Sequence, residues 1–353
     1  MSDQATPPVG VGRRPGRIAL IGLGAVLTIV FSYLAVHGVR WSGVRSALTE
    51  ADPWWLAPAL GLMAVAVVMR GLRWRFLFAR DTRPGTWPIL EATVIGYFFN
   101  TILPARAGEA ARVVALNRRS ATSRAESLAT VGVERVWDVG VLLGLLAFSL
   151  SQRHHVAWTG AAELLAVILF GAVVAVVAVL VGFGDRPAVW VARRLGRLPG
   201  LRADAIEQAA IRLVSGMGAL HRPRLVAGAL AWTASSWMVL AISNWCVLEA
   251  FHLHLGFMGG LLVVVATGLS MAIPAGPAGV GVFEAAVLVA LAPFGVAKAE
   301  GLSAALVLHA LNIVPFLIAG VAVLRFHAGA GRARPDAVPT ARRPVAPRSR
   351  AGV

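Results

Sequence analysis

The sequence contains little of what metal, disulfide or nucleotide chemistry requires. One cysteine, Cys246, is present among 353 residues, which excludes an intramolecular disulfide and a cluster of thiolate metal ligands. No P-loop, dinucleotide-binding fingerprint, H-E-x-x-H pair or G-x-S-x-G nucleophile elbow occurs. We therefore expect no metal and no other cofactor, and we predict that the chain is not an enzyme.

Charged residues are also scarce, at 14% of the chain, whereas 58% of the residues are hydrophobic. Soluble domains are about a quarter charged, so this composition predicts an all-α membrane protein, because helices satisfy every backbone group in lipid. The 33 Lys and Arg against 17 Asp and Glu give a net charge of +16. This excess lies between apolar runs, which indicates membrane topology and anionic headgroups rather than nucleic acid.

A polytopic membrane helix bundle follows from the lengths of the apolar stretches. A spanning helix needs about 20 residues, and six stretches reach that length: 18–37, 54–72, 126–150, 160–183, 225–247 and 302–325. Two further stretches, 88–118 and 257–293, are interrupted at Pro104 and at "IPAGPAGVG". We predict six spanning helices plus two re-entrant helical hairpins.

The rest of the chain divides by composition. Residues 1–16 predict a disordered N-terminal tail, and residues 17–326 a transmembrane domain. Within it, residues 184–224 predict an Arg-rich cytoplasmic amphipathic segment. Residues 327–353 predict a disordered Arg/Pro-rich cytoplasmic tail.

The distribution of basic residues predicts the topology. With both hairpins re-entrant and both termini inside, only Arg40, Arg45, Arg153 and Lys298 lie on the outer side, as the positive-inside rule requires of the cytoplasmic membrane. The hairpins then enter from opposite sides. Each carries a proline followed by at least one glycine and a glutamate, which favours an inverted repeat; chance similarity in an Ala/Gly-rich chain is the alternative.

The stretch "NTILPARAGEAAR" places charges beside the break in the first hairpin. A helix that begins directly after Pro104 would carry Arg106, Glu109 and Arg112 on one face. A helix N-terminus together with arginines suits an anion such as a lipid phosphate. The alternative is that the three charges only neutralise one another.

A second charged group lies inside the stretch 126–150, in "VERVWDVG". Glu134 and Asp138 are four residues apart and flank Arg135, so one carboxylate needs a further partner, such as Arg106 or Arg112. This group predicts either a structural ion-pair lock between the helix and the first hairpin, or a role in proton coupling or headgroup contact.

The second hairpin has glycines where the first has arginines. Gly279 and Gly281 suit either a tight packed turn or close approach of the backbone to a ligand. Glu284 is the one acid of this stretch, and an unpaired intramembrane acid is a functional candidate.

His309 and Asn312 lie one turn apart in the last predicted span. They either complete a polar cavity or form hydrogen bonds within the packed bundle. The candidate residues for substrate binding and translocation are Asn100, Pro104, Arg106, Glu109, Arg112, Glu134, Arg135, Asp138, Pro274, Gly279, Gly281, Glu284, His309 and Asn312.

Four motifs resemble the lysylphosphatidylglycerol synthase transmembrane-domain family, also called flippase-like integral membrane proteins. They are "RGLRW", "NTILPARAGEAAR", "VERVWD" and "IPAGPAGVGVFE", and the resemblance covers about residues 18–326. Ala278 and Gly276 depart from a glycine and a serine of the family pattern. The last span lacks an arginine often present there, although His309 lies nearby.

The resemblance implies a lipid flippase or transporter that moves an anionic or phosphate-linked headgroup through a central polar cavity. It implies a phospholipid or a polyprenyl-phosphate-linked lipid as partner, together with an envelope-lipid synthase or glycosyltransferase. No aminoacyl-transferase domain is present in the sequence, so we expect no synthesis of aminoacyl-lipid. The alternative is an integral-membrane enzyme, with Glu109 or Glu284 as acid or base, or an accessory subunit in lipid-linked sugar or envelope-lipid synthesis.

Overall fold

The computed structural model describes residues 15–78, 82–104, 106–151, 223–273 and 275–332, with a few helical positions between 164 and 190. Over these residues the structure is helical and contains no strand, which confirms the all-α class. Most of the span predicted at 160–183, most of the amphipathic segment 184–224, nearly all of both tails, and Pro274 lie outside the described residues.

Ten α-helices of the described chain have defined bounds. Their bounds are α1 Pro15–Val36, α2 Trp41–Glu50, α3 Leu56–Phe76, α4 Thr86–Ile102, α5 Gly108–Asn117, α6 Arg124–Ser151, α7 Pro223–Ala250, α8 Gly256–Ser270, α9 Val282–Leu291 and α10 Lys298–Arg332. Short 3₁₀ turns lie at Pro53–Trp55, Pro277–Gly279 and Ala292–Phe294. Helices α1, α3, α6, α7 and α10 coincide with five of the predicted spans.

By length and composition, three segments of the described chain can cross a membrane: Pro53–Phe76, Pro277–Phe294 and Lys298–Phe326. A fourth is counted if Gly22–Val36 and Trp41–Glu50, which meet at an 80° bend, form one broken span. The structure thus confirms a helical membrane protein. The count of six full spans and the re-entrant character of the two hairpins stay predictions.

Helix α2 was not anticipated from the sequence, because it has only ten residues and carries Arg45 and Glu50. It packs against the start of α10, where the Ser303 hydroxyl donates a hydrogen bond of 3.3 Å to the carbonyl of Val44. Tertiary packing rather than hydropathy therefore fixes this helix.

The first hairpin consists of α4 and α5, and its second helix begins later than predicted. The sequence placed the helix start directly after Pro104, whereas α5 begins at Gly108 and Arg106 has a positive φ of 56°. The Asn100 side chain accepts a 2.9 Å hydrogen bond from the Gly108 N–H. This bond satisfies one of the free donors at the helix N-terminus and fixes the start there.

The second hairpin consists of α8 and α9, with the Pro277–Gly279 turn between them, and it packs against α1. The Thr28 hydroxyl of α1 accepts a 2.8 Å hydrogen bond from the Gly276 N–H. At the other end of α1, the Lys298 ammonium donates to the carbonyls of Leu34 and His37 at 2.9 and 2.6 Å. Helix α1 is therefore hydrogen-bonded to the second half of the molecule both at Thr28 and at its C-terminal end.

The core separates into clusters that follow the two hairpins. One cluster, around Trp74, Leu116 and Trp137, joins α3 and α6 to the first hairpin. A larger cluster, which includes Phe283 and Leu308, joins the second hairpin to α7 and α10. Phe283 and Leu308 of this larger cluster also line the cavity described below.

Candidate functional site

Six charged side chains form a closed ring between α3, α5 and α6. Each carboxylate of this charge ring contacts two arginines and each arginine contacts two carboxylates. The members are Arg73, Glu109, Arg112, Glu134, Arg135 and Asp138. With three charges of each sign, the ring is neutral in sum.

The buried side of the ring centres on Arg73, whose side chain is 2% exposed. Its Nη2 lies 2.6 Å from Glu134 Oε1, and its Nη1 lies 2.8 Å from Asp138 Oδ1. Helix α7 adds neutral partners, because Arg73 donates to the Thr233 hydroxyl at 2.7 Å and the Trp237 indole donates to Asp138 at 3.2 Å. Charges this deep in a bundle are stable only when paired in this way.

The remaining contacts close the ring through α5. Arg112 Nη2 donates to Glu134 Oε2 at 2.6 Å, and its Nε lies 2.7 Å from Glu109 Oε2 without hydrogen-bond geometry. Glu109 also accepts from Arg135 Nη2, and Arg135 Nη1 lies 3.7 Å from Asp138 Oδ2. The Arg135 side chain is 38% exposed, so it is the accessible arginine of the ring.

Sequence reasoning did not identify Arg73 as a member of this ring. It offered Arg106 or Arg112 as the partner of the second carboxylate; Arg112 does pair with Glu134, but Arg73 bridges Glu134 and Asp138. The available signal was the "RGLRW" motif, which contains Arg73 but was interpreted only as part of the family resemblance. Arginines at the end of an apolar helix indicate intramembrane pairing as well as topology.

A cavity of about 300 Å³ lies beside the ring and is lined by both hairpins. Its arginine, aspartate and glutamate side chains all come from the first half of the chain, and the turn of the second hairpin also contributes to the lining. The polar side chains among its lining residues are Arg70, Tyr97, Asn100, Thr101, Arg106, Glu109, Arg135, Asp138, Ser243, Asn244, Thr267, Ser270, His309 and Asn312. The rest of the lining is apolar or backbone, as is usual in ligand sites.

Two arginines of the cavity lie outside the charge ring. The Arg70 guanidinium stacks 4.0 Å over the Trp237 ring, and its buried Nε and Nη2 find no hydrogen-bond partner. Arg106 forms no ion pair or hydrogen bond with any residue that the structure describes. Since the ring is neutral, these two side chains give the cavity an excess of positive charge that an anion can balance.

Helix α9 of the second hairpin and helix α10 together form a buried histidine–glutamate pair. His309 Nδ1 lies 2.6 Å from Glu284 Oε1, and Glu284 Oε2 accepts a 2.7 Å hydrogen bond from the Gly281 N–H. The His309 ring stacks on Phe283 at 4.5 Å between centroids. The expectation that Glu284 is unpaired is therefore wrong, because the histidine of α10 reaches it.

Most of the candidate residues come together, although in two groups. Those that line the cavity are Asn100, Arg106, Glu109, Arg135, Asp138, Gly279, His309 and Asn312. Arg112 and Glu134 lie behind them in the charge ring, and Gly281 and Glu284 lie behind His309. Pro104 lies two residues after the last residue of α4 and is not among the residues that line the cavity. Asn312 bonds to the Leu308 carbonyl of its own helix.

The arrangement is suited to binding an anion rather than a metal. In the part of the chain that the structure describes, no group of three or more His, Cys, Asp or Glu side chains is placed to hold a metal ion. Glu109 and Asp138, the two carboxylates of the cavity wall, are both engaged by arginines. Open cationic groups at the cavity are therefore the chemistry that this site offers.

Comparison with known proteins agrees with the motifs. The family described as lysylphosphatidylglycerol synthase TM region matches residues 20–320, a range that contains the charge ring, both hairpins and His309.

Two curated proteins are similar to the chain. Glycosyltransferase AglD of Haloferax volcanii is 28% identical in an alignment of 345 positions that covers 86% of this chain and 54% of that protein. UPF0104 membrane protein MJ1078 of Methanocaldococcus jannaschii is 24% identical over 193 residues, which is 54% of this chain and 77% of that protein. The chain thus spans about half the length of AglD.

Proposed function

The chain belongs to the lysylphosphatidylglycerol synthase TM region family of integral membrane proteins, and from this premise we propose that it moves a lipid with an anionic or phosphate-linked headgroup across the cytoplasmic membrane. The headgroup passes through the cavity between the two hairpins, and the acyl chains stay in the bilayer.

One observation carries this proposal: Arg70 and Arg106 line the cavity without an ion pair or hydrogen bond to any carboxylate of the described residues, beside a charge ring that is already neutral. An unpaired cation in an apolar bundle is unfavourable. A phosphate or phosphoglycerol headgroup supplies the missing negative charge and accepts several guanidinium hydrogen bonds.

The size of the cavity limits what it accommodates. About 300 Å³ is at the lower end of small-molecule sites, which run from about 300 to 1,000 Å³. That space suits a headgroup and not a whole lipid. Arg135, exposed at the cavity wall, adds a third donor once the headgroup is bound.

Transport of acyl-labelled phosphatidylglycerol in proteoliposomes, followed by quenching of the outer leaflet, tests the proposal. We expect Arg106→Gln to lower the rate about 10- to 100-fold, since a hydrogen bond to a charged group is worth about 1.5–3 kcal/mol. Arg45→Gln, which removes an exposed arginine of α2, is the matched control and should keep the wild-type rate. Normal transport by folded Arg106→Gln protein would refute the proposal.

A second candidate rests on the name of a relative. AglD is called a glycosyltransferase and matches 86% of this chain, which favours a role as an enzyme or accessory subunit in lipid-linked sugar synthesis. An assay with a polyprenyl-phosphate sugar distinguishes the two. Movement of the intact lipid supports transport, whereas formation of a new glycoside that Glu109→Gln abolishes supports catalysis.

A further inference from the structure

Both ring nitrogens of His309 face oxygen atoms. Nδ1 lies 2.6 Å from Glu284 Oε1, and Nε2 lies 3.1 Å from the backbone carbonyl oxygen of Ala278. A carbonyl oxygen can only accept a hydrogen bond, so Nε2 must carry a proton. The other contact then has its proton either on Nδ1 or on the Glu284 carboxyl group.

Either arrangement places two protons on the pair. The first is an imidazolium beside a carboxylate, and the second is a neutral imidazole that accepts from a carboxylic acid. If one proton leaves to water, the remaining proton can serve only one of the two nitrogens. The other nitrogen then directs a lone pair at an oxygen, and that contact is lost. The observed geometry is therefore that of the proton-loaded pair.

The two contacts of His309 hold the tip of the second hairpin, residues 277–281, at both of its ends. Ala278 lies in the Pro277–Gly279 turn, and Gly281, whose N–H donates to Glu284, lies at the start of α9. Ala278, Gly279 and Gly281 have φ values of 58°, 79° and 81°, in the left-handed region that is unfavourable for a residue with a Cβ. Ala278 thus adopts a conformation that external contacts must maintain.

The other charged groups of the described residues form no ion pair with His309 or Glu284. Helix α1 presents the non-titrating hydroxyls of Thr28 and Ser32 to the tip, and α7 contributes Cys246 to the core that contains Leu308. The other ionisable groups of the cavity are Arg70, Tyr97, Arg106, Glu109, Arg135 and Asp138; α8 carries none, and Arg45 and Glu50 of α2 are exposed.

We propose that His309 and Glu284 form a proton-binding site, and that the bound proton sets the conformation of the second hairpin tip and thereby the opening of the cavity. The proton site is independent of the transported molecule. Its use as an energy-coupling step rests on the proposed function, in which each transport cycle would load and release one proton at this pair.

The pair can be locked in each state by substitution. In Glu284→Gln, the amide N–H can donate to Nδ1 while the neutral imidazole keeps its proton on Nε2, so both contacts persist without a titrating carboxyl. In His309→Phe, the stacking on Phe283 remains but no donor reaches the Ala278 carbonyl. The first variant should fix the tip in the proton-loaded conformation, and the second in the released one.

An environment-sensitive fluorophore at the tip reports the conformation. Val280 is 45% exposed, so Val280→Cys in a Cys246→Ser background can be labelled and titrated from about pH 4 to about pH 9, where carboxyl and imidazole groups ionise. We expect a reversible transition with an otherwise wild-type pair. Glu284→Gln should show the acidic signal at every pH, and His309→Phe the alkaline signal.

The chain contains a matched control. His254 and Glu249 form a second histidine–glutamate pair at 2.9 Å, but the His254 side chain is 73% exposed in a loop. His254→Gln should leave the titration of the tip unchanged. A flat titration with the wild-type pair, an unchanged titration in folded Glu284→Gln protein, or a titration that only His254→Gln removes would each overturn the proposal.

Two further measurements keep the outcome decisive. If His309→Phe does not fold because it leaves Glu284 unpaired, the double variant with Glu284→Gln removes the buried charge and should give the same alkaline signal.

In proteoliposomes, an imposed pH gradient should change the rate of wild-type lipid movement but not that of Glu284→Gln. A titrating tip without lipid movement would refute the proposed transport and leave the proton site intact, whereas equal gradient dependence in both proteins would refute the coupling.

Discussion

The two hairpins meet at one cavity but are held in opposite ways. The first places Glu109 and Arg112 in ion pairs with α6, with Arg106 at its break. The second contains no lysine or arginine between residues 257 and 293, and its single acid, Glu284, contacts a histidine from another helix. One wall of the cavity is therefore fixed by charge, and the other by a few hydrogen bonds.

This difference assigns separate tasks to the two walls. Ion pairs in a low-dielectric interior are strong and resist separation, so the first hairpin, α3 and α6 can present arginines at constant positions. Single hydrogen bonds contribute about 0.5–1.5 kcal/mol each, and a turn held by two or three of them can change conformation at ambient temperature. We propose that the rigid wall binds the anion and that the weaker one controls access.

The largest expected effect concerns the side of the membrane on which each hairpin ends. Opposite entry predicts that, in a Cys246→Ser background, a cysteine at Arg118 is labelled only from inside and one at His252 only from outside. Both positions are exposed. Labelling of both from the same side with an impermeant maleimide would contradict the inverted arrangement.

The next effect distinguishes the charge ring from the open arginines. Arg73→Met leaves Asp138 without its main buried partner and should lower the free energy of unfolding by about 3–5 kcal/mol. Arg106→Met removes a cation with no partner among the described residues and should change it by less than about 1 kcal/mol. Unfolding in mixed micelles provides the measurement, and equal destabilisation by both substitutions would contradict the division.

The smallest effect separates two kinds of glycine. A Cβ at Gly108 would overlap the Gly96 carbonyl and lie 2.5 Å from Asn100 Oδ1, whereas a Cβ at Gly279 meets nothing within 4 Å but must accept a φ of 79°. Gly108→Ala should therefore destabilise by about 1–3 kcal/mol through overpacking, and Gly279→Ala by about 1–2 kcal/mol through backbone strain.

Substitution by asparagine should affect the two positions in opposite ways relative to alanine, because asparagine tolerates the left-handed conformation better than alanine. Gly279→Asn should be more stable than Gly279→Ala, while Gly108→Asn should be less stable than Gly108→Ala. The same order of Ala and Asn at both positions, measured by thermal unfolding, would show that one cause acts at both.

Hydropathy and motif spacing were sufficient for the helical membrane class and for the family, since long apolar runs and local motifs are both properties of contiguous sequence. They placed Glu134, Arg135 and Asp138 on one helix and Glu109 and Arg112 on another, as the structure does. Helix starts were less accurate, because Asn100 fixes the beginning of α5 across a gap of eight residues.

Long-range pairings were out of reach. Arg73 reaches Asp138 over 65 positions, and His309 reaches Glu284 over 25, and nothing in local spacing indicates which acid a buried base will contact. For the same reason Glu284 was expected to be unpaired. The choice of partner depends on helix packing, which a single sequence does not specify.

The closed form of the charge ring provides redundancy. Because every member has two partners, removal of any one contact converts the ring into a chain in which no charge is bare. A headgroup that draws Arg135 towards the cavity would leave Glu109 with Arg112, at 2.7 Å, and Asp138 with Arg73, at 2.8 Å. Arg135, the accessible arginine of the charge ring, can therefore move to a bound anion and return without leaving an unpaired carboxylate in the membrane.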